Sequence, residues 1–222
     1  HSIRMNGNTY SARAWVLATG SSSVVPPIKG LDKTPHITNK EIFYLDRLPE
    51  SMVILGGGPI GCEMSQAFNR LGPRINMVDM APQILGKVDG DMADLVRDVL
   101  SSEGVKFYLN AAIEKVKDLG SEKEVQLKTK DGNSISLRAQ TILVAVGRAA
   151  NTTGLGLEDI GLAYNQRGVE VDNRLRTSHK HIYAAGDVNG GYQFTHAAGY
   201  EGGIVVSNAI FRLPRKVDYT FL

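Results

Sequence analysis

Gly56-Gly57-Gly58-Pro59-Ile60-Gly61 sets three glycines at the spacing G-x-G-x-x-G, and an acid, Asp79, stands eighteen residues beyond the last of them. A turn of this kind lets bare backbone approach a charged group. The first glycine permits a tight turn, the second has no Cβ to block a ligand, and the third lets a helix lie close on a strand. The N–H groups that open such a helix are free and carry partial positive charge, which suits phosphates. The Asp79 carboxylate can accept hydrogen bonds from ribose hydroxyls. The combined chemistry is that of a dinucleotide pocket holding NAD through Gly56, Gly58, Pro59, Ile60 and Gly61, with Asp79 and the adjacent Met80 on the ribose side. The glycine turn alone is weak evidence, because other α/β proteins carry one. The acid at its spacing is what makes the pattern specific.

The elements around the turn have the right periods. Met52-Val53-Ile54-Leu55 is an apolar strand leading into it, and Ile75-Asn76-Met77-Val78 is a second strand that ends at Asp79. Between them Met64, Ala67, Phe68 and Leu71 recur at three- and four-residue spacing, which predicts a helix with one apolar face, closed by Gly72-Pro73. A second helix is predicted over 91–103, with Asp91 and Asp94 in its first turn where they complement the dipole, and a third parallel strand over 105–109. The pattern then changes to short alternating segments at 113–116, 124–128 and 134–137, with Asp131-Gly132 as a turn: an antiparallel β-meander. Thr141 to Val146 is a buried strand ending at Gly147-Arg148.

The flanks are less regular. Asn6-Gly7 joins two short strands, and Trp15-Val16-Leu17 is a strand ending at Ala18-Thr19-Gly20. Residues 21–27 read as a loop, and 39–47 as a short helix started by Thr38 or Asn39. Residues 151–165 read as irregular, Val169 to Val171 as a strand, and Ile182 to Ala185 as a strand ending at Gly186-Asp187. A last helix is predicted from Thr195 to Phe211.

Composition bounds the rest. The 222 residues hold 25 basic and 23 acidic side chains, a net charge of +2 that makes no case for nucleic acid or a membrane surface as partner. No apolar run approaches the roughly 20 residues of a membrane span, and no signal-peptide pattern is visible. Cys62 is the single cysteine, so there is no intrachain disulfide and no C-x-x-C pair, and a cytoplasmic protein is the simplest expectation. Following the third glycine at a helix start, Cys62 sits where a thiol pKa can fall, but no resolving partner exists for a redox role. His179 and His181 have no acid or cysteine at ligand spacing, so no metal site is expected.

The dinucleotide unit, flanked by strands ending at Ala18-Thr19-Gly20 and at Gly186-Asp187, resembles the pyridine nucleotide–disulfide oxidoreductases over essentially the whole chain. The branch it looks most like holds dihydrolipoamide dehydrogenase and mercuric reductase. The resemblance implies an α/β fold in which a Rossmann-like NAD-binding domain, residues 41–148, is inserted between two segments of an FAD-binding domain, residues 1–40 and 149–222. It implies a flavoprotein in which NADH reduces FAD, with NAD and FAD as small-molecule partners at the domain junction. On the FAD side it points to Ala18, Thr19, Gly20, Gly186 and Asp187, the last toward a ribityl hydroxyl. It also points to Thr195, His196, Ala197 and Ala198, at a helix start facing the flavin. On the NAD side it adds Glu63 near the nicotinamide and Gly147 and Arg148 near both cofactors. Glu63 reads equally as a first-turn glutamate complementing the helix dipole, and Arg148 as a surface ion-pair partner. Pro59 stands where some relatives carry an aromatic gate.

The stretch after Asp79 carries no cation before Lys87, and a carboxylate repels a 2′-phosphate, so NADH is expected over NADPH. The family's C-x-x-x-x-C disulfide, its first G-x-G-x-x-G and its C-terminal interface domain have no counterpart in these residues. No catalytic residue is therefore assigned within the chain. It reads as the central part of a longer flavoenzyme, inactive alone and possessed of neither the acceptor-choosing residues nor the surface through which relatives form homodimers; the piece itself is expected to be monomeric. The competing reading is a stand-alone NAD-binding module without turnover. A structural protein that has lost its cofactors should show bulky residues in place of the glycines, and none is present.

Overall fold

The computed structural model describes residues 2–220. His1, Phe221 and Leu222 lie outside them. The chain divides into two compact units, one of residues 23–147 and one of residues 1–22 with 148–222.

Strands β1 (Ser2–Met5), β2 (Asn8–Ser11), β3 (Trp15–Leu17) and β4 (Ser21–Ser23) come first. The unit of residues 23–147 then holds β5 (Ser51–Leu55), helix α1 (Pro59–Leu71), β6 (Arg74–Val78), helix α2 (Gly90–Ser102) and β7 (Lys106–Tyr108). Next come β8 (Ala111–Asp118), β9 (Lys123–Thr129), β10 (Ser134–Ala139) and β11 (Thr141–Val144). The order β11-β5-β6-β7 forms a parallel sheet, and β8, β9 and β10 form the predicted antiparallel meander as a separate sheet.

The apolar run of β5 is explained by burial on both faces. Val53 and Leu55 join Val78, Ile142 and Val144 against meander residues such as Val125 and Leu127. Met52 and Ile54 join Ile75 and Leu143 against Phe68 and Leu100 of the helices. Met52, Val53, Ile54 and Leu55 are all fully buried, each contributing about 1.5–3 kcal/mol of apolar transfer.

The α1 face agrees with the predicted one at Phe68 and the half-buried Met64 and differs from it at the other two positions. Gly61, Cys62, Ser65 and Phe68 are buried, whereas Ala67 is exposed and Leu71 is 61% exposed. Small residues at 61, 62 and 65 let the helix lie close, so the buried stripe turns toward them. Glu63 is the fifth residue of α1, beyond its first turn, and it is exposed.

Residues 23–40 pack within this unit, ahead of residue 41. Leu31 is fully buried in the meander core, Val116 N–H donates to Lys29 O at 2.9 Å, and Ile37 pairs with Leu143. A short 3₁₀ turn at Glu41–Tyr44 takes the place of the predicted helix, opened by Thr38, whose N–H donates to Glu41 Oε2 at 2.8 Å. Val24 N–H donates to Gly147 O at 3.0 Å, near the two ends of the unit.

The other unit contains the β1–β2 hairpin, whose Asn6 and Gly7 both have positive φ as the turn requires. It also holds β12 (Arg148–Ala150), the short hairpin β13 (Tyr164–Asn165) with β14 (Gly168–Val169), β15 (Ile182–Ala184) and helix α3 (Thr195–Ala209). β15 runs parallel to β3. Ile182 and Ala184 pack with Leu157, Leu162 and Val188, while Tyr183 and Ala185 pack with Ile204 and Val205 of α3.

Two expectations are corrected here. Residues 21–27, read as a loop, contain β4, which pairs with β12; and residues 151–165, read as irregular, hold a 3₁₀ turn at Glu158–Ile160 and end in β13. No helix of the described residues is long and apolar enough to cross a membrane.

Candidate functional site

In the unit of residues 23–147 the glycine turn sits at the C-terminal end of β5. Gly56 has φ 107°, and a Cβ there would lie 2.4 Å from Ala145 O. A Cβ on Gly61 would lie 2.0 Å from Gly56 O, so that glycine is what lets α1 begin directly over the turn. Gly58 is different: a Cβ built on it meets nothing within 4 Å. Gly58 is also the N-cap of α1, with Pro59 opening the helix, Ile60 half-buried and no side chain capping its N–H groups. An uncapped helix start behind an open glycine face is the feature a pyrophosphate needs.

Asp79 faces the same turn. Its Oδ2 accepts from Gly57 N–H at 2.6 Å and its Oδ1 from Ala81 N–H at 2.7 Å. The carboxylate thus fixes the glycine loop to the end of β6, a positional task the spacing did not reveal, and each oxygen keeps a lone pair for a further donor. Met80 beside it is 76% exposed. It lines a groove with Asn110, Ala112, Glu114, Lys128, Thr129 and Lys130. The two lysines come from β9 and the turn after it, some fifty residues from Asp79, and Lys128 Nζ lies 4.0 Å from Glu114 Oε1. Gly147, exposed and with φ 147°, follows β11 in this unit.

Cys62 is 7% exposed and its thiol donates to Gly57 O at 3.5 Å. Burial first, then the charges of Asp79 and Glu63, push its pKa up to about 11. An unfolded thiol titrates near ~8.5. The folded protein therefore keeps this proton to higher pH than the unfolded chain, so stability from this group is unaffected below about pH 8 and falls between about pH 9 and pH 11. Native protein at pH 7.5 is expected to resist iodoacetamide for hours and to be alkylated within minutes in denaturant. Rapid labelling of the native state, read by intact mass, contradicts this burial.

In the other unit β3 and β15 run side by side, and Ala185 N–H donates to Leu17 O at 3.0 Å. Ala18, Thr19 and Gly20 therefore leave the sheet at the same end as Gly186 and Asp187. Gly186 lies against α3: its Cβ would be 3.2 Å from Ala198 Cβ. Ala197 is buried, Thr195 and His196 are exposed, and the His196 ring stacks on Phe194 at 5.4 Å and 8°. The first N–H groups of α3 have no side-chain cap.

Arg148, which the resemblance set on the NAD side, falls in this unit beside Asp187. Its Nε donates to Ser21 Oγ at 2.7 Å and lies 3.5 Å from Asp187 Oδ2, which also accepts from Ser21 Oγ at 2.5 Å. Sequence reasoning missed Ser21, since a serine after a strand has no distinguishing pattern. It also missed Glu201, which is 1% exposed. Glu201 Oε2 accepts from Gly186 N–H and from Asn189 Nδ2, both at 2.7 Å, and its Oε1 accepts from Tyr219 Oη. Burial, then that hydrogen bond, raises the Tyr219 pKa. Glu201 is the only Asp, Glu, Lys or Arg of α3, a signal that could have found it.

A family model described as pyridine nucleotide-disulphide oxidoreductase matches residues 1–202. The mercuric reductase of Bacillus cereus is 32% identical over 219 residues, 98% of this chain and 34% of that protein. The dihydrolipoyl dehydrogenase of Acholeplasma laidlawii is 31% identical over 221 residues, 98% of this chain and 64% of that protein. The HOCl-induced flavoprotein disulfide reductase RclA of Escherichia coli superposes with a TM-score of 0.86 at 32% identity, covering 97% of this chain and 49% of that one. The chain thus spans between a third and two thirds of these relatives. With a family model running through nine tenths of its length and relatives matched from end to end at this identity, the chain belongs to the pyridine nucleotide-disulphide oxidoreductase family.

Proposed function

We propose that the complete protein oxidises NADH through FAD and passes the electron pair to a disulfide, a metal ion or another acceptor. The observation that carries this reading is the open face of Gly58 before the uncapped start of α1, with Asp79 held across the turn. When bound, the nicotinamide supplies a hydride and the flavin accepts it. This chain's residues bind and orient. The first N–H groups of α1 receive the pyrophosphate. Asp79 accepts ribose hydroxyls on the lone pairs that Gly57 and Ala81 leave free. Asp187 accepts a ribityl hydroxyl, and the start of α3 favours negative charge nearby. We further propose that the complete protein is a cytoplasmic homodimer, and that the 222-residue chain alone is a monomer that binds NADH without turnover.

The complete protein is expected to be yellow and to oxidise NADH; a colourless preparation that takes up no added FAD would contradict the flavin part. NADH is favoured because the Asp79 carboxylate opposes a 2′-phosphate, although Lys128 and Lys130 line the groove beside Met80. Calorimetry on Asp79→Ala separates the two. NADH affinity is expected to fall about 10-fold, the scale of one charge-assisted hydrogen bond, and NADPH affinity to change less. Wild-type protein binding both cofactors equally would remove the ribose assignment.

A further inference from the structure

The two oxygens of Asp187 are not equivalent. Oδ2 accepts from Ser21 Oγ at 2.5 Å and lies 3.5 Å from Arg148 Nε. Among the described residues Oδ1 has no hydrogen-bond partner. The directions of the bonds around Oδ2 are fixed by chemistry. A guanidinium only donates and an ionised carboxylate only accepts, so Arg148 Nε gives a proton to Ser21 Oγ, and Ser21 gives its one proton to Asp187. Arg148 Nη2 also donates to Ser21 O at 2.8 Å, which makes the grip on Ser21 two-pronged.

The backbone under this chain is held independently. Asn151 N–H donates to Gly20 O and its Nδ2 to Thr19 O, both at 2.9 Å. Its Oδ1 accepts from Ser22 Oγ at 2.9 Å, and its carbonyl accepts from Thr19 Oγ1 at 2.8 Å. Residues 19–22 and 148–151 are thus joined without Arg148's help. The Arg148 side chain, with an exposure of 20%, reaches what Asn151 does not: Ser21 and, through it, Asp187.

We propose that Arg148 and Ser21 are positioning residues of the flavin site: they hold Oδ2 of Asp187 so that Oδ1 is presented to a ribityl hydroxyl. This rests on the flavin reading above. Lysine would restore the charge at 148 but not the fork, because one ammonium cannot copy the rigid pair of Nε and Nη2 donors.

The test is FAD affinity in the complete protein, read by quenching of flavin fluorescence, with melting of the FAD-free protein as the measure of folding. Arg148→Met and Ser21→Ala are each expected to weaken FAD binding about 10-fold while the FAD-free melting temperature stays within about 3 °C of wild type, and Arg148→Lys to recover part of the loss. In an Asp187→Asn background Arg148→Met should cost less than about 2-fold more, because residues acting through one another are not additive. A full 10-fold loss in both backgrounds, or unchanged FAD affinity in Arg148→Met and Ser21→Ala, overturns the proposal and leaves the flavin reading intact. Wild-type protein that binds no FAD overturns both. Ser21→Ala removes a single oxygen, so it decides the matter if Arg148→Met fails to fold.

Discussion

Gly58→Val is expected to fold like the wild type and to lose NADH. The valine Cβ would meet nothing within 4 Å beyond its chain neighbours, and Gly58 has φ −74° and ψ −177°, a conformation open to any residue. The cost that remains is that of valine at a helix N-cap, about 1 kcal/mol, so the melting temperature should stay within about 4 °C. The two methyl groups would stand where a pyrophosphate must approach the first N–H groups of α1. A loss of about 100-fold in NADH affinity is expected, equivalent to about 2.7 kcal/mol. Isothermal titration with NADH checks it. Undiminished binding to a folded Gly58→Val protein would mean that the diphosphate sits elsewhere, and the proposed function would lose its main support.

Gly61→Ala should do the reverse. Its new methyl would lie 2.0 Å from Gly56 O and 3.1 Å from Gly56 C, both backbone atoms that no rotamer change can clear. Either α1 lifts from the turn or the turn opens, and Gly56 has its own constraint at Ala145 O. The cost is expected to be about 3 kcal/mol or more, a fall in melting temperature of about 10 °C for a chain of this size. Thermal unfolding followed by circular dichroism measures it; a melting temperature within 2 °C of wild type would show that the helix and strand have slack here. The pair of substitutions separates two glycines of one motif, one proposed to serve a ligand and one held by its packing against the turn.

The parallel sheet, its two helices and the meander could be read from sequence because each has a strong local period. Met52 to Leu55 is apolar throughout because both faces of β5 are covered, and the alternation at 124–128 reflects a strand with one covered face. The glycine turn could be read because its residue types and spacing lie within six residues, even though Ala145 and Asp79, farther along the chain, also constrain it. What escaped depends on partners far along the chain. Ser21-Ser22-Ser23 and Arg148-Ala149-Ala150 have weak strand propensity, and they become strands because they meet each other across more than 120 residues. The same distance hid the union of Arg148, Ser21 and Asp187. The α1 face was partly misread for a different reason. Periodicity found Phe68, which is buried, and Met64, which packs against the same core, but it also took in the exposed Ala67 and Leu71 and passed over Gly61, Cys62 and Ser65, whose small size lets the helix lie close on the sheet.

The hydrogen bond from Val24 to Gly147 has a consequence at the level of genes. A stretch of 125 residues that leaves and returns to nearly the same point can be transplanted whole. The recipient chain has to close a gap only a few ångströms wide, and its own strands need not be rerouted. Recombination could therefore trade this cassette between hosts with one pair of cuts, each time carrying the glycine turn, its parallel sheet and the meander as a whole.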